Sequence, residues 1–164
     1  MIDEVSTFQE MESSFQVRGP KFFSEGQFAL LRFICDFIIP ADAESGGATE
    51  AGAPEFIDLI SSENTTWQIK IGGGLMWLDA HCFSQWRCVF LELDPSQQIT
   101  ILSSLAWRKN SVSDPALQPG VEMFAFVRKL TVDAFVTSEI GERYLGYMGN
   151  TRLHGFPGCP PLPE

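Results

Sequence analysis

The chain has 164 residues, 45% of them hydrophobic, and a formal net charge of −10. That length supports one domain with a core of its own, burying about 70% of the surface its unfolded chain exposes, so neither disulfides nor a metal is needed merely to fold it. The sequence contains no run of Lys or Arg, which argues against a nucleic-acid partner, because neutralising phosphates requires a clustered basic face.

Residues 1–20 read as a flexible N-terminal arm, polar with isolated Phe8 and Phe15. This stretch lacks the basic region and apolar core of a signal peptide and has no twin-arginine pair. The expected location is the cytoplasm, or the periplasm if a partner carries the export signal. A helix is predicted from about Ser24 to Ile39, with Ser24 and Gln27 forming a capping-box pattern. Phe28, Leu31, Cys35 and Ile38 make one apolar row, and Leu30, Ile34 and Phe37 a second beside it. Only Arg32 and Asp36 interrupt them, at a spacing that favours an i,i+4 ion pair worth under about 0.5 kcal/mol. A helix apolar nearly all round is buried in a core or covered by a partner. It is too short to span a membrane, which takes about 20 residues.

Pro40 ends that helix. The loop ADAESGGATEAGA has no large side chain, and Pro54 suits the first turn of a second helix running to about Ser62. Asp42, Glu44, Glu50, Glu55 and Asp58 read as solvated loop and helix-start acids, Glu55 being favoured by the helix dipole. Trp67, Ile69 and Ile71 alternate like a strand and lead into Gly72, Gly73 and Gly74, yet LMWLDAHCF reads as helix with Leu75, Leu78 and Cys82 on one face. Another helix should begin at Asp94 or Pro95 and turn Ile99, Leu102 and Ala106 to one side. SVSDPALQPG reads as loop. A long helix is expected from about Val121 to Ile140, with Phe124, Val127, Thr131 and Phe135 inward and Gly141 closing or kinking it. The Gly- and Pro-rich tail 146–164 reads as an extended arm. The predicted fold is all-α: a helical domain over 21–145, of five or six helices, with an irregular N-terminal arm and a Gly/Pro-rich C-terminal arm.

The motifs give little support for independent chemistry. WQIKI followed by glycines resembles a dinucleotide-binding turn, but Trp77 stands where the third glycine should be and no βαβ unit surrounds it. Glycines that allow close helix approach are the simpler reading. Asp79, His81, Cys82, Cys88 and Glu92 include metal-ligand types, without the paired short spacings of a zinc site. No Gly-x-Ser-x-Gly elbow is present, and His154 lies in the tail, where a rigid general base would be unusual. Nothing fixes a facing carboxylate pair. Asn64-Thr65-Thr66 fits a glycosylation sequon or a helix start. Cys35 reads as a core residue, while Cys82 with Cys88, or Cys88 with Cys159, are the disulfide alternatives.

The run IIPADAESGGATEAGAPEFID, with GGLMWLD, FAFVRKLTVDAFVTSEIG and YLGYMGNTRLHGFPGCP following in order, resembles the gluconate 2-dehydrogenase subunit 3 family over about Phe22 to Pro160. The resemblance implies a non-catalytic small subunit that binds and stabilises a large flavoprotein of the glucose-methanol-choline (GMC) type. FAD would reside in that partner, with haem c in a third, cytochrome subunit in some complexes. Such complexes oxidise sugars, sugar acids or glycosides. No catalytic, cofactor-binding or metal-binding residue is expected in this chain. The aromatic load, 14 Phe and four Trp, fits either a partner surface or a large core. The partner interface is expected at Phe22 and Phe23, at Gly46, Gly47, Glu50 and Gly52, and at Tyr147, His154, Phe156, Pro157, Cys159 and Pro160. The alternatives are a standalone helical binding or chaperone-like module, and a small metal-dependent enzyme using His81, Cys82, Cys88 or His154.

Overall fold

The first helix, α1 (Glu25–Ile38), starts where the sequence says it should. The Ser24 Oγ accepts from the Gln27 N–H at 3.3 Å, and the Gln27 Oε1 accepts from the Ser24 N–H at 3.2 Å. The computed structural model describes residues 19–147 and Gly149. Beyond α1 it contains α2 (Ala53–Ser62), α3 (Gly73–Trp86), α4 (Pro95–Leu105), α5 (Lys109–Ser113), α6 (Gln118–Val136) and α7 (Glu139–Tyr144). Short 3-10 turns at Phe90–Glu92 and Pro115–Leu117 link them, and no strand occurs among the described residues. The fold is all-α, and α6 is its hub, packing on α1, α2, α3, α4 and α7.

Leu30, Leu31, Ile34 and Cys35 of α1 pack in one core with Ile57, Leu75, Leu78, Leu102, Leu105 and Val127. The greasiness of α1 is therefore absorbed by the chain's own neighbours, and Ala29, Arg32 and Asp36 form its solvent strip. Asp36 does not pair with Arg32: the ion pair found among the described residues is Arg143 with Glu139. Instead the Asp36 Oδ1 accepts from the Thr49 N–H at 2.9 Å, tying the small-residue loop to the helix it follows. Ala48 is fully buried, and its N–H donates to the Ile39 carbonyl at 2.9 Å. Asp42 accepts the Glu44 and Ser45 N–H groups at 2.8 Å each, and these bonds hold its carboxyl below the ordinary 3.8. Gly52, at φ 78°, makes the left-handed turn into α2.

The ambiguous segment is helical. Asn64 accepts from Thr66 and Trp67 N–H at 3.0 and 3.2 Å and so starts a helical turn, Thr65–Trp67, which widens into a π turn, Gln68–Gly72, and continues as α3. The glycines serve close packing. A Cβ on Gly74 would lie 2.2 Å from the Met123 Cβ of α6, and one on Gly120 would meet the Trp77 ring at 2.1 Å.

Three expectations are corrected. The buried face of α4 is Gln98, Ile101, Leu102 and Leu105, while Ile99 is 53% exposed. The rotation is set by Gln98, whose Nε2 donates to the Phe90 carbonyl at 3.0 Å, so its buried amide is satisfied. SVSDPALQPG is largely helical, because Asp114 accepts from the Ala116 N–H at 3.0 Å and Pro119 sits in the first turn of α6, where proline costs nothing. The long helix stops at Val136. The Thr137 and Ser138 hydroxyls donate to the Asp133 and Phe135 carbonyls at 2.8 and 2.7 Å, and Ser138 Oγ then accepts from the Gly141 N–H at 3.0 Å to open α7. Gly141 is needed there because a Cβ would lie 1.9 Å from the Phe135 carbonyl oxygen. The inward face of α6, with Phe124, Val127, Thr131 and Phe135, is as expected.

Candidate partner interface

The most constrained part of the expected interface is the stretch before α1. The carboxylate of Asp58, buried on α2, accepts three consecutive backbone N–H groups: Lys21 at 2.5 Å on Oδ2, and Phe22 and Phe23 at 3.0 and 2.9 Å on Oδ1. Asp58 is therefore not a solvated helix-start acid; it holds the entry to α1 against α2. The clamp sends two adjacent aromatics opposite ways. Phe23 is 3% exposed and belongs to the chain's core, whereas Phe22 is 39% exposed and packs edge-on against it at 5.0 Å.

In the loop, Gly47 is buried with the Ala41 backbone N only 2.8 Å from where a Cβ would stand. Gly46 lies under the Glu50 side chain and near Ile140, and Glu50 is exposed. Gly52 is a half-exposed turn residue. The small residues are thus required by the loop's own close packing. Tyr147 is exposed at the start of the tail, its N–H donating to the Glu142 carbonyl at 2.9 Å. His154, Phe156, Pro157, Cys159 and Pro160 lie outside the described residues.

One exposed apolar row on the surface escaped the sequence reading. Along the π turn and α3, Ile69 (69% exposed), Met76 (65%) and Phe83 (51%) recur every seven residues, with exposed Gly73 and Ala80 between them. Gly73, Met76, Ala80 and Phe83 follow one another at 3-4-3 spacing on α3, so small residues alternate with large ones on that face, and Ile69 precedes them in the π turn. The same helix buries Leu75, Leu78 and Cys82 on its other side. Ring atoms of Phe22 lie 3.9 Å from the Cβ position of Gly72, which brings Phe22 close to the N-terminal end of the stripe.

The groups with chemical potential are engaged in structure. His81 stacks on Trp77 at 4.9 Å, and its Nε2 is 2.9 Å from the Gln85 Nε2. Asp79 accepts from the Phe90 N–H at 3.0 Å and Glu92 from the Val89 N–H at 3.4 Å. Burial pushes the Cys82 thiol up to about 11, helped by Asp79, so it is neutral near pH 7. The Cys35 thiol, also buried, is pushed up to about 12; it lies 3.4 Å from the Thr131 hydroxyl, which itself donates to the Val127 carbonyl at 2.9 Å. Cys82 and Cys88 are free thiols. Among the described residues no three His, Cys, Asp or Glu side chains converge as a metal site, and no helix is long and apolar enough to cross a membrane.

Among known families, the model described as gluconate 2-dehydrogenase subunit 3 matches the chain over residues 25–158. No curated protein and no solved structure matches the chain.

Proposed function

The chain belongs to the gluconate 2-dehydrogenase subunit 3 family, and from that premise we propose that it is the non-catalytic small subunit of a dehydrogenase complex. Its role is to bind and stabilise a large FAD-dependent oxidoreductase of the GMC type that oxidises sugars, sugar acids or glycosides. The flavin and the groups that move protons and hydride belong to that large subunit, and a haem c cytochrome completes the electron path in complexes that have one. The observation that carries this reading is the exposed apolar row of Met76 and Phe83 on α3, with Ile69 in the π turn before it. Burying a side chain of that kind fully is worth roughly 1.5 to 3 kcal/mol, so an ordered row left in water is a strong incentive for association.

The test is purification of the tagged chain from its native host, with an absorbance spectrum from about 350 to 600 nm and identification of what co-purifies. A flavin spectrum with a large oxidoreductase is the expected result, and haem bands would add the cytochrome. A colourless, stable monomer, or sugar oxidation by the isolated chain, refutes the proposal.

A further inference from the structure

The chain is strongly acidic and shows no basic run in sequence, yet the fold gathers basic side chains in one place. A groove of about 820 Å³ between the π turn, the start of α5 and the outer face of α6 is lined by Lys70, Arg108, Arg128 and Lys129. Those are four of the 11 basic residues in the chain, drawn from three separate stretches. All four are exposed, and none forms an ion pair among the described residues. Lys70 lies over the Phe126 ring at 5.5 Å, and Phe126, which lines the groove, packs edge-on against Trp67 at 5.7 Å. Two carboxylates also line it: Glu122, which is hydrogen-bonded to the Gln118 amide, and Asp133.

We propose that this groove docks an acidic segment of a partner polypeptide. Charge complementarity selects that occupant. Unpaired cations over a net acidic body give a local attraction that the rest of the surface opposes. Glu122 and Asp133 interrupt any continuous track that a phosphate backbone could follow. The cations come from three stretches, Arg128 and Lys129 sharing α6, and stand in solvent, whereas a compact polyphosphate needs donors converging on a few oxygens. A peptide of carboxylates spaced by other side chains fits both cations drawn from three stretches and the half-buried Phe126 that lines the groove with them. The inference concerns α6 and the π turn and does not depend on which oxidoreductase the chain accompanies.

The test uses the full chain and a synthetic dodecaglutamate peptide, with binding followed by tryptophan fluorescence in about 50 mM salt. Pyrophosphate and a short DNA duplex are run as competing probes. Arg128→Glu and Arg108→Glu, on different elements, should each weaken the peptide at least about fivefold, while Arg32→Glu on α1, an equal change in net charge, should leave it within about twofold. Raising the salt to about 0.3 M should release the peptide, since screening shortens the reach of exposed charges to less than about 10 Å. Absence of peptide binding, equal weakening by Arg32→Glu, or tighter binding of pyrophosphate or DNA than of the peptide overturns the proposal.

Discussion

Replacing Asp58 with Ala tests whether one buried carboxylate fixes the entry to α1. The carboxylate receives the N–H groups of Lys21, Phe22 and Phe23 at 2.5, 3.0 and 2.9 Å. Hydrogen bonds to a charged group contribute about 1.5 to 3 kcal/mol each, but they are not additive. Water can reach the exposed Lys21 and Phe22 once the carboxylate is gone, whereas the N–H of Phe23, a core residue, is stranded. The expected loss is therefore about 3 kcal/mol, less than the sum of three bonds. For a chain of this size that corresponds to a fall in Tm of about 6 to 12 °C. Asp58→Asn keeps an oxygen for Phe22 and Phe23 but turns an amide N–H₂ toward the Lys21 N–H, so it should fall between the wild type and Asp58→Ala, at about 1 to 2 kcal/mol. Urea unfolding gives the free energies, and amide exchange at Phe23 reports the clamp itself. A loss below about 0.5 kcal/mol for Asp58→Ala, or an unchanged Phe23 exchange rate, would refute the assignment of the clamp.

Gly74→Ala should destabilise by about 1 to 2 kcal/mol despite the better helix propensity of Ala, because the added Cβ would stand 2.2 Å from the Met123 Cβ; a gain in urea midpoint would show that α3 and α6 can separate freely. Cys35 and Cys82 should resist iodoacetamide in the folded chain and react after unfolding, with half-buried Cys88 modified first; mass spectrometry of the alkylated peptides decides it. Their folded-state pKa values are raised from 9.0 to about 12 and about 11, so their contribution to stability is complete below pH 9 and is lost as the pH climbs through that window. The double variant Cys35→Ala, Cys82→Ala should accordingly show a shallower alkaline fall in unfolding midpoint than the wild type. Met76→Glu should leave the thermal midpoint of the isolated chain within about 2 °C, because the side chain is 65% exposed, and should cut recovery of the co-purifying flavoprotein at least about tenfold; unchanged recovery would remove the α3 row from the interface.

What could be read from sequence was what depends on neighbours three to seven residues away. The Ser24 and Gln27 box, Pro54 at the start of α2 and the inward face of α6 are all of that kind, and the structure has them. The role of Asp58 depends on amides 35 to 37 residues upstream, and no local pattern encodes it. The basic groove is likewise assembled from Lys70, Arg108, Arg128 and Lys129, which a search for runs of charge passes over. The exposed row along the π turn and α3 was hidden for a different reason. Read as a strand, Ile69 and Ile71 share a face; in the helix they part, Ile71 into the core and Ile69 into solvent. Being apolar nearly all round therefore does not say who covers a helix. On α1 the apolar rows all face the chain's own core, and the polar strip of Arg32 and Asp36 is what remains outside. On α3 the apolar surface is divided, Leu75, Leu78 and Cys82 turned inward and Met76 and Phe83 outward, with Ile69 outward in the π turn before them. Periodicity does not separate the two cases, since Leu31 and Ile38 on α1 and Leu75 and Cys82 on the inner side of α3 recur at seven residues just as Met76 and Phe83 do; burial separates them. The exposed row at Ile69, Met76 and Phe83 is therefore recognised from burial, and only once residues 65–86 are known to be helical, because in a helix Ile69 parts from the buried Ile71.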